Sequence, residues 1–253
     1  MLSTLLLALV ISLILNGIFF AIAYRLKTDK FTDITYSLSF IIIALFAYSR
    51  SSHRSFETIG TILVLIWAIR LGGFLLYRVI KNGKDRRFDG MRESFIKFAK
   101  FWLGQAVVAW VLMVPAILAF SGNKDLSAIC IVGVVIWLIG LIFESLADFQ
   151  KYKFRLDQKN KDKWIESGVW SLSRHPNYFG EILIWVGVYL YAFPALGPVA
   201  RILCLISPVL IIVLLRYGSG IPILEKSADK KWGDNPKYIE YKRRTNLLIP
   251  FVK

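Results

Sequence analysis

The chain has 253 residues, 56% of them hydrophobic, with 32 Lys and Arg against 17 Asp and Glu and a formal net charge of +15. A mean hydropathy of +0.56, with the apolar residues gathered in long blocks, excludes a soluble globular domain and marks a multi-span membrane protein. Two cysteines, Cys130 and Cys204, and two distant histidines, His53 and His175, argue against a disulfide framework or a metal centre.

Blocks long enough to cross the hydrocarbon core fall near 2–23, 33–49, 57–80, 101–121, 126–147, 178–193 and 197–216. They predict an all-α, polytopic membrane protein of about seven transmembrane helices, the sixth short and the last two joined at Pro194 and Pro198. The first block lacks a basic leader and a small-residue cleavage site, so it reads as a retained span. Segments 24–32, 81–100, 148–177 and 217–253 carry about 25 Lys and Arg, and the alternate segments about 3. That bias predicts an outside N-terminus and a cytoplasmic C-terminus. It also assigns the net charge to anionic headgroups and not to nucleic acid. There is no GxGxxG after a strand, no GxxxxGK[ST] and no GxSxG, so a nucleotide would need a different kind of site.

In the first span, Asn16 beside Gly17 predicts close helix packing with an amide bonded across the interface. The second opens with Asp33, and Tyr36, Ser37 and Ser39 follow. Asp33 either caps its helix or, with the Tyr36 phenol one turn deeper, polarises a substrate carbonyl. Mid-span in the third lies Arg70, one turn after Trp67, and at that depth it requires a carboxylate, a phosphate or a water-filled cavity. Arg78 is expected to snorkel to the interface. The stretch 91–102 is expected to lie in the interface, with Met91, Phe95, Phe98 and Trp102 on one face and Arg92, Lys97 and Lys100 off it.

Glu144, Asp148 and Arg155 recur at i, i+4 and i+11 as the fifth span leaves the membrane, so they share a face. Two acids in an apolar span imply a bound ligand or an ion-paired lock between helices. A basic segment then turns into the sixth span through SLSRHPNYFGE at 171–181. Arg174, His175, Pro176 at the first helical position and Asn177 make a helix N-terminus suited to a phosphate. A basic collar on a membrane helix is the alternative. Glu181 follows one turn on, and Arg216 closes the seventh span. The predicted topology puts Asp33, Glu144, Asp148, Asn177, Glu181 and Arg216 in one leaflet with Arg70 just above, which implies a polar cavity open to the cytoplasm. In the tail, a helix is predicted over 222–231, then a GDNP turn, then Tyr238 and Tyr241 one turn apart beside Lys242, Arg243 and Arg244. That segment closes over a phosphate-bearing ligand or lies on headgroups.

From about Leu141 to Val252 the chain resembles the steroid 5-alpha-reductase family, including bacterial relatives of uncertain substrate. The resemblance rests on Glu144-x-x-x-Asp148, Arg155, the run Arg174-His175-Pro176-Asn177-Tyr178-Phe179-Gly180-Glu181, Arg216, and Tyr238-x-x-Tyr241 with Ile249-Pro250. Trp67-Ala-Ile-Arg70 and Asp85-Arg86-Arg87-Phe88 extend it more weakly into the first half. The same superfamily holds sterol C14 and C7 reductases and, more distantly, isoprenylcysteine and phospholipid methyltransferases.

The resemblance implies a single membrane domain in which 126–253 holds NADPH at the cytoplasmic helix ends and 1–121 forms the substrate side. By position, Arg70, Asp148, Arg155, Asn177, Tyr178, Glu181 and Arg216 match the family's cofactor contacts. Glu144, Arg174, His175, Tyr238 and Tyr241 join them as candidates. Carboxylates would serve ribose or the nicotinamide amide, and arginines the diphosphate and 2′-phosphate. Two positions depart from the steroid enzymes. Trp67 stands where they have a tyrosine, and Tyr217-Gly218-Ser219-Gly220 where they have a histidine-rich stretch. Asp33 and Tyr36 become the candidates for polarising the carbonyl, beside Trp67. The expected activity is reduction of an activated C=C bond in a steroid-like or other enone lipid, in a bacterial inner membrane. The alternatives are an S-adenosylmethionine-dependent methyltransferase of prenylated or lipid substrates, and a non-enzymatic scaffold or transporter.

Overall fold

The computed structural model describes residues 2–82, 88–122 and 124–251, so Asp85, Arg86 and Arg87 lie outside the described residues. The protein is all-helical, 79% helix, with no strand among the described residues. Its helices are α1 (Leu2–Arg25), α2 (Thr32–Ser49), α3 (Ser55–Asn82), α4 (Phe95–Ala119), α5 (Ala128–Leu156), α6 (Pro176–Ala192), α7 (Pro198–Cys204), α8 (Ile206–Tyr217), α9 (Ile221–Trp232) and α10 (Pro236–Arg244). Seven helical runs are long and apolar enough to cross a membrane, the last of them built from α7 to α9.

Two compact units divide the chain. Residues up to Ile131 join Val188–Ser207 in one, and Val132–Gly187 join the chain from Pro208 onward in the other. The boundaries pass through α5, α6 and α8.

In the first unit α2 packs on α3 and α4, and α1 on α4. Polar side chains at the seams fix the register. The Asn16 amide donates to Ser39 Oγ (3.0 Å), and Gln105 Nε2 donates to Asn16 Oδ1 (3.0 Å), tying α1, α2 and α4 as Asn16 predicts. Ser12 Oγ donates to the Ala106 carbonyl, and Trp110 Nε1 to that of Leu5. Each pairing satisfies a polar group that hydrocarbon would leave bare.

Two expectations change here. The stretch 91–102 is not a separate interfacial helix, because α4 runs unbroken from Phe95 to Ala119 behind an N-cap at Ser94, whose side chain accepts from Lys97 N. Arg92 lies inside, bonded to Asp29 and Asp89, beside a cluster of Ala23, Phe88, Phe98 and Trp102. A buried guanidinium needs such anions, and two converge on it. Arg78 likewise donates to Asp33 of α2 at 2.9 Å, which replaces simple snorkelling by an interhelical pair.

The second unit is built on a glycine seam. Gly133 and Gly140 on α5 face Gly187 and Gly180 on α6, in antiparallel order. A Cβ on Gly140 would sit 2.6 Å from the Gly180 carbonyl oxygen, and one on Gly187 would sit 2.7 Å from that of Gly133. Only hydrogen fits at those positions, so the two backbones touch. Beyond the seam α5 continues to Leu156 and supports the loop that leads into α6. Trp170 Nε1 donates to the Ala147 carbonyl at 3.1 Å, and Ala147, Ile165 and Trp170 form a small core with Phe154 and Val169.

Candidate functional site

The tail folds back onto that loop. Tyr241 on α10 donates its hydroxyl to the Trp170 carbonyl (3.1 Å), and Ser173 Oγ donates to that of Leu248 (2.8 Å). The amide of Arg174 bonds Asn246 O (2.8 Å) and that of His175 bonds Ser173 Oγ (3.1 Å). The N–H groups just ahead of α6 are therefore taken by the chain itself.

Between the end of α5, this loop, α9 and α10 lies a cavity of about 230 Å³. Its floor is buried and mostly aromatic: Trp170, Tyr238 and Tyr241, with Ile165 and His175. Trp164 packs on Tyr238 with ring centroids 5.1 Å apart and on Tyr241 at 6.5 Å. Its rim is basic and exposed, formed by Arg155, Lys163 and Lys231. Lys151, over the Trp170 ring at 4.4 Å, adds a further cation.

Glu225 of α9 is the one carboxylate lining this cavity among the described residues. One of its oxygens takes Arg174 Nη1, and the other lies 2.9 Å from His175 Nε2. Lys242 Nζ stands 3.6 Å from the carboxylate and 2.7 Å from Asp229. Burial pulls the His175 pKa below its usual value, against the opposing bond and charge of Glu225. Burial also raises Tyr238, to about 12, so the phenol stays neutral at physiological pH.

Five of the sequence-derived candidates thus meet in one place: Arg155, Arg174, His175, Tyr238 and Tyr241. Tyr178 stacks on His175 at 5.7 Å, just outside the lining. Glu144, Asp148, Asn177, Glu181 and Arg216 belong to the same unit but do not line the cavity, and Arg216 lies over the Tyr217 ring at 5.0 Å. Asp33, Tyr36, Trp67 and Arg70 belong to the other unit. There Tyr36 meets Phe40 edge-on at 4.9 Å, Phe40 meets Trp67 in the same way, and Asp33 is engaged by Arg78.

Trp164, Trp170, Glu225, Lys231 and Trp232 escaped the sequence reading. A signal for the last three was present: Leu224, Glu225, Ala228, Lys231 and Trp232 fall on one face at helical spacing. Two tryptophans in a charged loop were the corresponding sign for Trp164 and Trp170, since such rings need a local core.

A family profile described as "Protein of unknown function (DUF1295)" matches residues 19–245. The chain belongs to this family. It lies within the steroid 5-alpha-reductase-like superfamily, so the C-terminal motifs and the family assignment agree at that level. No curated protein and no solved structure matches the chain.

Proposed function

We propose that the chain is an NADPH-dependent membrane reductase that saturates an activated C=C bond of an apolar enone lipid. The observation that carries this reading is the cavity beneath α9 and α10, whose floor is aromatic and whose rim is basic. A flat ring and a string of phosphates ask for that division of labour: stacking surfaces inside, cations at the mouth. The volume is below the roughly 300–1,000 Å³ of pockets that enclose drug-sized ligands, so it suits one end of a dinucleotide and not the whole.

On this reading Trp164, Tyr238 and Tyr241 hold the ring, while Arg155, Lys163 and Lys231 neutralise phosphate charge. NADPH, when bound, supplies hydride. A proton donor must then serve the substrate carbonyl. Of the two candidates, Asp33 is engaged by Arg78, which leaves the Tyr36 phenol as the donor. The charge asymmetry of the loops supports a cofactor face on the cytoplasmic side, and the resemblance to bacterial relatives supports a bacterial inner membrane.

The test is direct binding of NADPH, NADH and S-adenosylmethionine to the detergent-purified chain at matched salt. Tight NADPH with weak NADH binding is expected. Binding of S-adenosylmethionine alone would replace the reductase by a methyltransferase, and binding of none would remove the nucleotide site.

A further inference from the structure

A chain of polar side chains crosses the middle of the first unit. Ser39 Oγ donates its one hydrogen to the Thr35 carbonyl (2.8 Å), so toward Asn16 it can only accept. The Asn16 amide spends its two hydrogens on Ser39 Oγ (3.0 Å) and on the Ser12 carbonyl (2.9 Å). Asn16 Oδ1 is therefore an acceptor, and Gln105 must turn its nitrogen to it, as it does at 3.0 Å. This order fixes the other end of the Gln105 amide, where Oε1 is presented away from Asn16 as an acceptor. Oε1 accepts from no described residue, and it is not sealed in the core, because Gln105 is half-buried and the oxygen keeps open surface. The clasp between α1 and α4 accounts for one end of this side chain and not for the other.

Depth makes the open acceptor costly. Gln105 lies about 15 Å along α4 from Phe95, near the centre of a span of 25 residues, where no bulk water reaches to satisfy it. An amide oxygen there calls for a donor brought by a ligand. The chemistry of that donor is narrow. An ammonium would carry a charge to the bilayer centre, and a ketone or an ether has no hydrogen to give. Phospholipid headgroups stay at the interface, about 15 Å away across half of the hydrocarbon core. What remains is a hydroxyl on an otherwise apolar lipid that enters the bilayer interior whole. The same turn of α4 is open to such a molecule: Leu103 and Val107 are exposed, and a Cβ on Gly104 would meet nothing within 4 Å. We infer that Gln105 is the recognition residue of a lipid-alcohol site, in which its Oε1, aimed by the bond to Asn16, accepts from the ligand hydroxyl.

The site shares no residue with the nucleotide cavity, so it stands or falls without NADPH. Tritiated farnesol and tritiated cholesterol are titrated onto the intact, detergent-purified chain, with each unlabelled alcohol and its methyl ether as competitors. The ether keeps the skeleton and loses the donor. At least one alcohol is expected to displace its label at least about fivefold more effectively than its own ether, the scale of one good hydrogen bond. In Gln105→Leu that preference should fall to within about twofold, because the acceptor is gone. No saturable binding of either alcohol overturns the site, and so does equal displacement by alcohol and ether. A preference that survives undiminished in folded Gln105→Leu protein also overturns it, since another residue would then be reading the hydroxyl. Should the leucine variant not fold, Gln105→Met, closer in length to glutamine, gives the same comparison, and the wild-type contrast of alcohol with ether still decides.

Discussion

His175 Nε2 lies 2.9 Å from one oxygen of Glu225 while Arg174 holds the other, so a single carboxylate of α9 ties down both side chains that open α6. The three groups are largely buried, with side-chain exposures of 6%, 19% and 13% for His175, Glu225 and Arg174. Replacing Glu225 by Ala leaves a guanidinium and an imidazole N–H without their acceptor. Breaking a fully buried pair costs about 3–5 kcal/mol, and partial exposure reduces the expected loss here to about 2–3 kcal/mol. Glu225→Gln, which keeps an acceptor oxygen, should lose about half as much. Thermal unfolding of the purified variants checks both.

The same contact carries a pH dependence. Burial lowers the His175 pKa, so the folded protein resists a proton that the unfolded chain takes up near 6.5. The sign follows: this contribution to stability is complete above about 6.5 and is lost as the pH falls through the depressed folded value. Wild type should therefore weaken as the pH falls below about 6.5, and His175→Gln should show a shallower slope over the same range. Equal slopes in the two proteins would place the acid sensitivity elsewhere.

Hydropathy and length made the seven membrane-crossing helices legible, because both are local properties summed along one stretch of chain. Asn16 was legible for a related reason: an amide in a span has few fates other than a neighbouring helix. Ion-pair partners were not. Arg78 finds Asp33 at a separation of 45 residues, Arg92 finds Asp29 at 63, and Arg174 finds Glu225 at 51. In the candidate site the motif residues Arg174, His175, Tyr238 and Tyr241 could be named in advance. The walls that complete the cavity depend on how the tail folds back, and a linear pattern does not encode that.

The Asn16 junction can be measured by a cycle of substitutions. Asn16→Leu removes two interhelical bonds and strands the half-buried Gln105 amide, which donates to Asn16 Oδ1. A buried donor left unsatisfied costs about 1–3 kcal/mol, and interhelical bonds in membranes average about 0.6 kcal/mol, so a loss of about 1–2 kcal/mol is expected. Gln105→Leu in the Asn16→Leu background should recover part of it, since both partners are then apolar. Strict additivity of the two substitutions would mean the amides act independently.

The glycine seam gives the sharpest contrast within one residue type. A Cβ on Gly180 would lie 2.5 Å from the Glu144 amide nitrogen, a backbone atom that no side-chain rotation can clear. On Gly104, in the middle of α4, it would meet nothing within 4 Å. Gly180→Ala must therefore push α6 away from α5, with an overpacking loss of about 1–3 kcal/mol. Gly104→Ala should stabilise by about 0.5–1 kcal/mol, because alanine gives up less backbone freedom on folding than glycine does. The two melting temperatures should shift in opposite directions. If they moved together, α5 and α6 would not be in direct backbone contact.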